Sequence, residues 1–80
     1  MSEKPISEKR SLTLRGEFVE LNKLLKYENL VASGGEAKVA IKSGAVLVNG
    51  EVESRVRRKL VPGDKVSLGN TVVEVVSSQS

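Results

Sequence analysis

The chain contains neither cysteine nor histidine. This rules out disulfides, thiolate nucleophiles, imidazole bases and the usual zinc sites, so hydrophobic packing alone must stabilise the fold. With only 80 residues, the chain can bury one small core. Hydrophobic residues make up 39% and charged residues 29%, a balance typical of a globular domain. The sequence therefore predicts a single compact module.

The ends of the chain differ in composition from its middle. Residues 1–10 are polar and contain a single isoleucine beyond Met1, so we expect a flexible N-terminal segment. Residues 11–76 would form the domain, and residues 77–80 a flexible polar tail. No apolar run approaches the ~18 residues of a membrane span, and no secretion signal is evident. We expect a cytoplasmic monomer that does not contact membranes.

Two helices are predicted from the spacing of apolar residues. Phe18, Leu21, Leu24 and Leu25 recur at helical spacing and would form one face of a first helix that starts near residue 17. A second helix would start at a capping box, in which Ser33 is the N-cap and Glu36 follows three residues later. It would run to about residue 43 and end at Gly44, which can adopt the left-handed conformation of a helix stop.

The rest of the chain has the alternation and turn residues of strands. Residues 11–14 form a short alternating strand, and Asn49-Gly50 joins two further strands in a type I′ hairpin. The residues 61–64, Val-Pro-Gly-Asp, predict another turn, and Gly69-Asn70 joins a second hairpin. In the first hairpin Val48 would face Glu51 and Val46 would face Glu53. In the second, Val66 would face Val73, Leu68 would face Thr71 and Lys65 would face Glu74.

These elements predict an α+β domain in which two packed helices lie on a small, mostly antiparallel sheet. The predicted core consists of one aromatic residue and ten aliphatic residues, contributed by both helices and the strands. They are Phe18, Leu21, Leu25, Ala37, Ile41, Val46, Val48, Val66, Leu68, Val73 and Val75.

No catalytic constellation emerges. Glu51 and Glu53 would share a strand face, but a solvated sheet edge explains them better than a catalytic or metal-binding pair. The glycines lie one per turn or helix end and form no phosphate loop. We therefore expect no enzymatic activity, no cofactor and no metal. The two aromatic residues, Phe18 and Tyr27, are too few for a stacking platform across a sheet.

The positive charge is concentrated in the middle of the chain, where residues 33–65 hold seven basic and four acidic side chains. Four of these cations, Arg55, Arg57, Arg58 and Lys59, lie within five residues and repel one another unless a polyanion neutralises them. A solvated basic loop is the plain alternative.

The predicted second helix adds two more cations. Lys38 and Lys42 form one stripe of that helix, and the exposed amides of its first turn, at Gly34, could hold a phosphate. With residues 55–59, this helix could form one electropositive face.

The run from Ser33 to Gly50, followed by Val61-Pro62-Gly63-Asp64-Lys65-Val66, resembles the RNA-binding alpha-L domain first defined in ribosomal small-subunit protein S-four. Within that superfamily, the chain is most similar to the small free-standing YbcJ-type bacterial proteins. The resemblance implies a fold in which two helices and a strand loop present basic residues to structured RNA. Carried over, this role would fall on Lys38 and Lys42, with Lys23 and Lys26 of the first helix as weaker candidates. Many members have an arginine where this chain has Gly34.

The sequence and the resemblance together predict non-catalytic binding of structured RNA, ribosomal or transfer, through phosphates and shape. The ribosome or a ribosome-associated protein is a further expected partner. The alternative is a protein-interaction module that docks an acidic partner through the same basic face. A ubiquitin-like sulfur carrier is disfavoured, because the sequence ends in Ser-Ser-Gln-Ser and lacks a terminal Gly-Gly.

Overall fold

The computed structural model describes residues 8–78 and contains, in this range, seven strands and two helices. In chain order they are β1 (Glu8–Leu14), β2 (Val19–Glu20), α1 (Leu21–Tyr27), α2 (Gly34–Lys42), β3 (Val46–Val48), β4 (Glu51–Val52), β5 (Lys59–Leu60), β6 (Lys65–Leu68) and β7 (Thr71–Ser77). Five strands form one sheet in the order β1-β7-β6-β3-β4, and β2 pairs with β5 in a two-stranded sheet. The larger sheet is antiparallel except for the parallel pair β1–β7. Helices α1 and α2 pack against each other, and the predicted α+β architecture is confirmed.

Both predicted hairpins form with the predicted register. Val48 pairs with Glu51 in the first, and Val66, Leu68 and Lys65 pair with Val73, Thr71 and Glu74 in the second. The first ladder ends after two residue pairs, one step before Glu53. The Glu53 amide still donates to the Val46 carbonyl at 3.0 Å, so the backbone of Glu53 stays hydrogen-bonded to β3. The side chain of Glu53 is buried.

The turn at Asn49-Gly50 and the turn at residues 61–64 are hydrogen-bonded to each other. Asn49 and Gly50 have φ values of 53° and 87°, the positive values that a type I′ turn requires. The Asn49 side chain donates to Asp64 Oδ1 at 3.1 Å and accepts the Lys65 amide at 3.0 Å. Asp64 Oδ2 accepts the Val61 amide at 2.9 Å, the local backbone bond typical of an aspartate in such a turn. These bonds hold β3 beside β6.

Helix α2 confirms the predicted Ser33 N-cap and the stop, while the returning bond of Glu36 goes to Ala32, one residue before the N-cap. The Ser33 hydroxyl accepts the Glu36 amide at 3.2 Å, and Glu36 Oε1 accepts the amide of Ala32 at 2.6 Å. After the C-cap Ser43, Gly44 takes a φ of 87°. Inside the helix, Ala37 and Ile41 are fully buried, whereas Val39 is exposed.

Helix α1 starts later than predicted, and Phe18 is not a core residue. Val19 pairs with Leu60 and Glu20 with Lys59, so the chain is extended up to the first residue of α1. Phe18 is 41% exposed, and Lys59 Nζ lies 4.8 Å from the centre of its ring. Helical spacing alone could not reveal this, because β2 is formed by pairing with a strand some forty residues away.

Strand β1 is longer than predicted. It starts at Glu8, so residues 8–10 are strand residues and do not belong to a flexible segment, while residues 1–7 lie outside the described residues. Arg10 of β1 donates to the Glu28 carbonyl at the end of α1 and forms a salt bridge with Glu8 at 2.8 Å. At the other end of the chain, β7 extends through Ser77, the first residue of the predicted tail, and residues 79–80 are not described.

Among residues 8–78, thirteen hydrophobic side chains form the core between the helices and the sheets. They are Leu14, Val19, Leu21, Leu24, Leu25, Ala37, Ile41, Val46, Val48, Leu60, Val66, Val73 and Val75. Nine of the eleven predicted core residues are in this set, and Leu68 packs against it while partly buried. The predicted core lacks four of these residues, Leu14, Val19, Leu24 and Leu60. Leu60 is fully buried and lies beside Val19, because β5 pairs with β2.

We expect Ile41→Ala to lower the free energy of unfolding by about 2–4 kcal/mol, since it empties a fully buried site in α2. Val39→Ala on the exposed side of the same helix is the matched control and should cost well under 1 kcal/mol. Urea unfolding followed by circular dichroism measures both. Equal losses for the two variants would contradict the assigned helix face.

We expect Gly50→Val to destabilise the fold by about 1–2 kcal/mol, because a β-branched side chain is strained at positive φ. Gly16→Val is the control: Gly16 also has open space where a Cβ would lie, but it does not adopt a positive φ. The melting temperature of the Gly50 variant should fall clearly below that of the Gly16 variant. Identical melting temperatures would contradict the turn conformation.

Candidate nucleic-acid interface

Residues 55–59, here called the basic segment, lie against the start of α1. The Leu21 amide donates to the Arg58 carbonyl at 2.9 Å, and the Asn22 amide donates to the Val56 carbonyl at 3.1 Å. The first amides of a helix have no partner within the helix, and the N-cap Glu20 supplies no side-chain bond. The basic segment therefore caps α1 through its backbone and is held at a fixed position.

The buried carboxylate of Glu53 organises two of the arginines. Glu53 is only 7% exposed and accepts four hydrogen bonds from Arg55 and Arg58. Three come from the amide, Nε and Nη2 of Arg55 at 2.8, 3.0 and 3.2 Å, and one comes from Arg58 Nη1 at 2.7 Å. These bonds lower the pKa of Glu53 from 4.5 to about 2. The side-chain bonds from Arg55 have the largest effect, and the bond from Arg58 has the next largest.

This finding corrects the interpretation of Glu51 and Glu53 as a solvated pair. Glu51 is exposed, as expected, but Glu53 is buried and ion-paired. The repulsion within the basic segment is thus relieved partly by the protein's own carboxylate. The predicted strand register already indicated the burial of Glu53, because it placed Glu53 opposite the core residue Val46.

A second carboxylate, Glu20, connects the basic segment to α1. Its Oε1 lies 3.8 Å from Arg57 Nε and 3.9 Å from Lys23 Nζ. Lys59 is held over the ring of Phe18 by a cation–π contact. The structure therefore brings Lys23 of α1 together with residues 55–59. Arg55 and Arg57 keep 71% and 76% of their side chains exposed, whereas Arg58 keeps 29%.

The other predicted residues lie on the two helices. Lys26 is exposed in the last turn of α1, and Lys38 and Lys42 are exposed on α2. Gly34 opens α2, and a Cβ placed there would have no atom within 4 Å, so the first turn is open to solvent. The Glu36 carboxylate lies at the same turn and disfavours an anion there. One face that joins α2 to the basic segment stays a prediction.

Other kinds of site are not found in the described part of the chain. Residues 8–78 hold no cluster of three or more His, Cys, Asp or Glu side chains that could bind a metal ion. Neither of the two helices in this range is long and apolar enough to cross a membrane.

We expect Glu53→Gln to remove a pH-dependent part of the stability. Because the folded pKa lies below 4.5, the ion pairs stabilise the fold above about pH 5 and lose this effect as the pH falls toward 2. The parent should therefore lose more unfolding free energy between pH 7 and pH 3 than the variant. Urea unfolding at several pH values measures this, with the exposed Glu51→Gln as control. A parental pH dependence in Glu53→Gln would contradict the buried ion pairs.

The sequence is similar to one domain family and to small bacterial proteins. The family model described as S4 domain matches residues 12–76. The YbcJ protein of Escherichia coli (strain K12) is 49% identical over 59 residues, which cover 74% of this chain and 84% of that protein. A Bacillus subtilis (strain 168) protein named "Probable ribosome maturation protein RlbA" is 37% identical over 57 residues, 71% of this chain and 80% of its own.

A solved structure agrees with these sequence matches. The solution structure of E. coli YbcJ superposes with a TM-score of 0.62 at 41% identity, covering 95% of this chain and 94% of that one, and its description reports an alfaL motif involved in RNA binding. The chain belongs to the S4 domain family.

Proposed function

We propose that this protein binds structured RNA without catalysis, through a basic surface formed by residues 55–59 and Lys23. Lys26, Lys38 and Lys42 would extend this surface along the helices, whereas the open turn at Gly34 would add little because the Glu36 carboxylate lies beside it. The observation that carries the proposal is the anchoring of the basic segment. Glu53, Glu20 and the amides of α1 hold its cations in place, while Arg55 and Arg57 remain largely exposed.

A surface of this kind suits phosphates better than bases. Arginine presents five donors in one plane, which suits phosphates. Glu53 engages Nε and Nη2 of Arg55 and Nη1 of Arg58 and so orients both guanidinium groups, whose remaining donors would face a phosphate. Double-stranded RNA offers few readable base edges in its deep groove and is recognised mainly through backbone and shape. We therefore propose ribosomal or transfer RNA as the ligand, with modest sequence preference.

The relatives support the class of ligand. The YbcJ motif is described as involved in RNA binding, and the B. subtilis relative is named for ribosome maturation. We further propose that the protein is a cytoplasmic monomer and that the ribosome or a ribosome-associated protein is a second partner. The alternative, docking of an acidic protein, would use the same cations and is separated by the experiment below.

We expect Lys23→Gln with Arg57→Gln, and separately Lys38→Gln with Lys42→Gln, to weaken binding of a tRNA transcript. Removing one cation that neutralises a phosphate should reduce the slope of log affinity against log salt by roughly 0.7–0.9, since fewer counterions are released. Arg58 is left unchanged because it holds Glu53. Fluorescence anisotropy at several salt concentrations measures affinity and slope, and circular dichroism checks the fold.

The control is Lys9→Gln with Lys65→Gln, which removes the same charge from the opposite side of the sheet. Lys9 and Lys65 are exposed and alternate along their strands with inward-facing residues such as Val66. This control should keep the parental slope. An equal loss in all three pairs would mean that only net charge matters, and the proposed surface would be wrong. Binding of polyglutamate as tight as that of tRNA would favour the protein-docking alternative.

A further inference from the structure

A groove of about 590 Å³ lies beside the basic segment and shares only Lys23 with the surface proposed above. Its walls come from the end of β1, the β1–β2 connection, and both ends of α1. Its volume is within the range of about 300–1,000 Å³ that small-molecule sites occupy. The groove is therefore large enough for a single compact ring system.

Both aromatic side chains of the chain line this groove. Phe18 is 41% exposed and Tyr27 is 60% exposed, so both rings leave apolar surface in contact with water. The groove floor includes Leu12 and Leu14, which belong to the core or pack against it. Exposed aromatic rings above an apolar floor are typical of a binding surface.

The rim of the groove is basic and continuous with the basic segment. Arg15 and Lys23 line the groove, and Glu20, which also lines it, lies within ion-pair distance of Arg57. Lys59 lies on the ring of Phe18. A ligand suited to the groove would thus have a flat apolar part that contacts an aromatic ring and a negative part beside the cations. A nucleotide combines these two properties, whereas an acidic side chain of a protein lacks the flat apolar part.

We propose that the groove binds one unpaired nucleobase of an RNA whose phosphates lie on the basic segment. This inference rests on the proposed function and adds to it a preference for RNA with an unstacked nucleotide next to a helix. Stacking on Tyr27 would provide affinity without a strict base code, because every base has a π-face. Arg15 and Lys23 would contact the phosphates that flank the extruded base.

Tyr27 provides a direct probe of this site. The chain has one tyrosine and no tryptophan, so its intrinsic fluorescence reports on Tyr27 alone. The test compares an RNA duplex that carries a single-nucleotide bulge with the same duplex without the bulge. We expect the bulged duplex to quench the tyrosine emission and to bind on the order of tenfold more tightly, the effect of one base–aromatic stack.

Two substitutions at Tyr27 separate stacking from general stability. Tyr27→Leu should abolish the preference for the bulge and leave affinity for the plain duplex unchanged. Tyr27→Phe retains the ring and should retain the preference, as measured by anisotropy of a labelled RNA. Val39→Ala, another exposed apolar position, is the control and should behave as the parent. Circular dichroism confirms that each variant is folded.

The outcomes distinguish this inference from the function on which it rests. If both duplexes bind with equal affinity and leave the tyrosine emission unchanged, the groove proposal is overturned while RNA binding stands. If Tyr27→Leu keeps the bulge preference, the groove proposal is likewise overturned. If neither duplex binds at low salt, RNA binding itself fails. Quenching by polyglutamate but not by RNA would assign the groove to a protein and overturn the proposal.

Discussion

The hydrogen bonds between the start of α1 and the basic segment link the core to the proposed interface. A helix of seven residues is too short to be stable alone, and α1 persists because Leu21, Leu24 and Leu25 are buried. Its first amides are satisfied by the carbonyls of Arg58 and Val56. The basic segment therefore stabilises the start of α1, and the packed helix in turn holds the basic segment in position.

Two carboxylates stabilise the basic segment in the absence of a ligand. Glu53 and Glu20 lie between cations that would otherwise repel one another, and burial of Glu53 makes its hydrogen bonds less screened by salt. Side chains that are already ordered lose less rotamer entropy when a ligand binds. The cost is that part of the positive charge is neutralised internally by Glu53, at Arg55 through two side-chain hydrogen bonds and at Arg58 through one.

Local chemistry explains which parts of the fold the sequence could predict. The turns at Asn49-Gly50 and Gly69-Asn70 and the Ser33 N-cap act over a few residues, and all three form as expected. The parallel pair β1–β7 and the pair β2–β5 depend on contacts between distant residues, which no local pattern records. The same distinction applies to the site. A run of arginines is visible in the sequence, but the carboxylate that orients them becomes recognisable only when the strand register places it inside.

The two kinds of cation in the proposed interface are suited to different tasks. Arg55 and Arg58 are fixed by Glu53, so the spacing of their donors is set by the fold and can match one arrangement of phosphates. Lys38 and Lys42 are exposed on α2, and their flexible stems can follow phosphates in several positions. Shape selection should therefore come from the arginines and salt-dependent affinity from the lysines. A module with a formal net charge of only +3 can in this way prefer one RNA geometry, because the fixed positions of its cations matter more than their number.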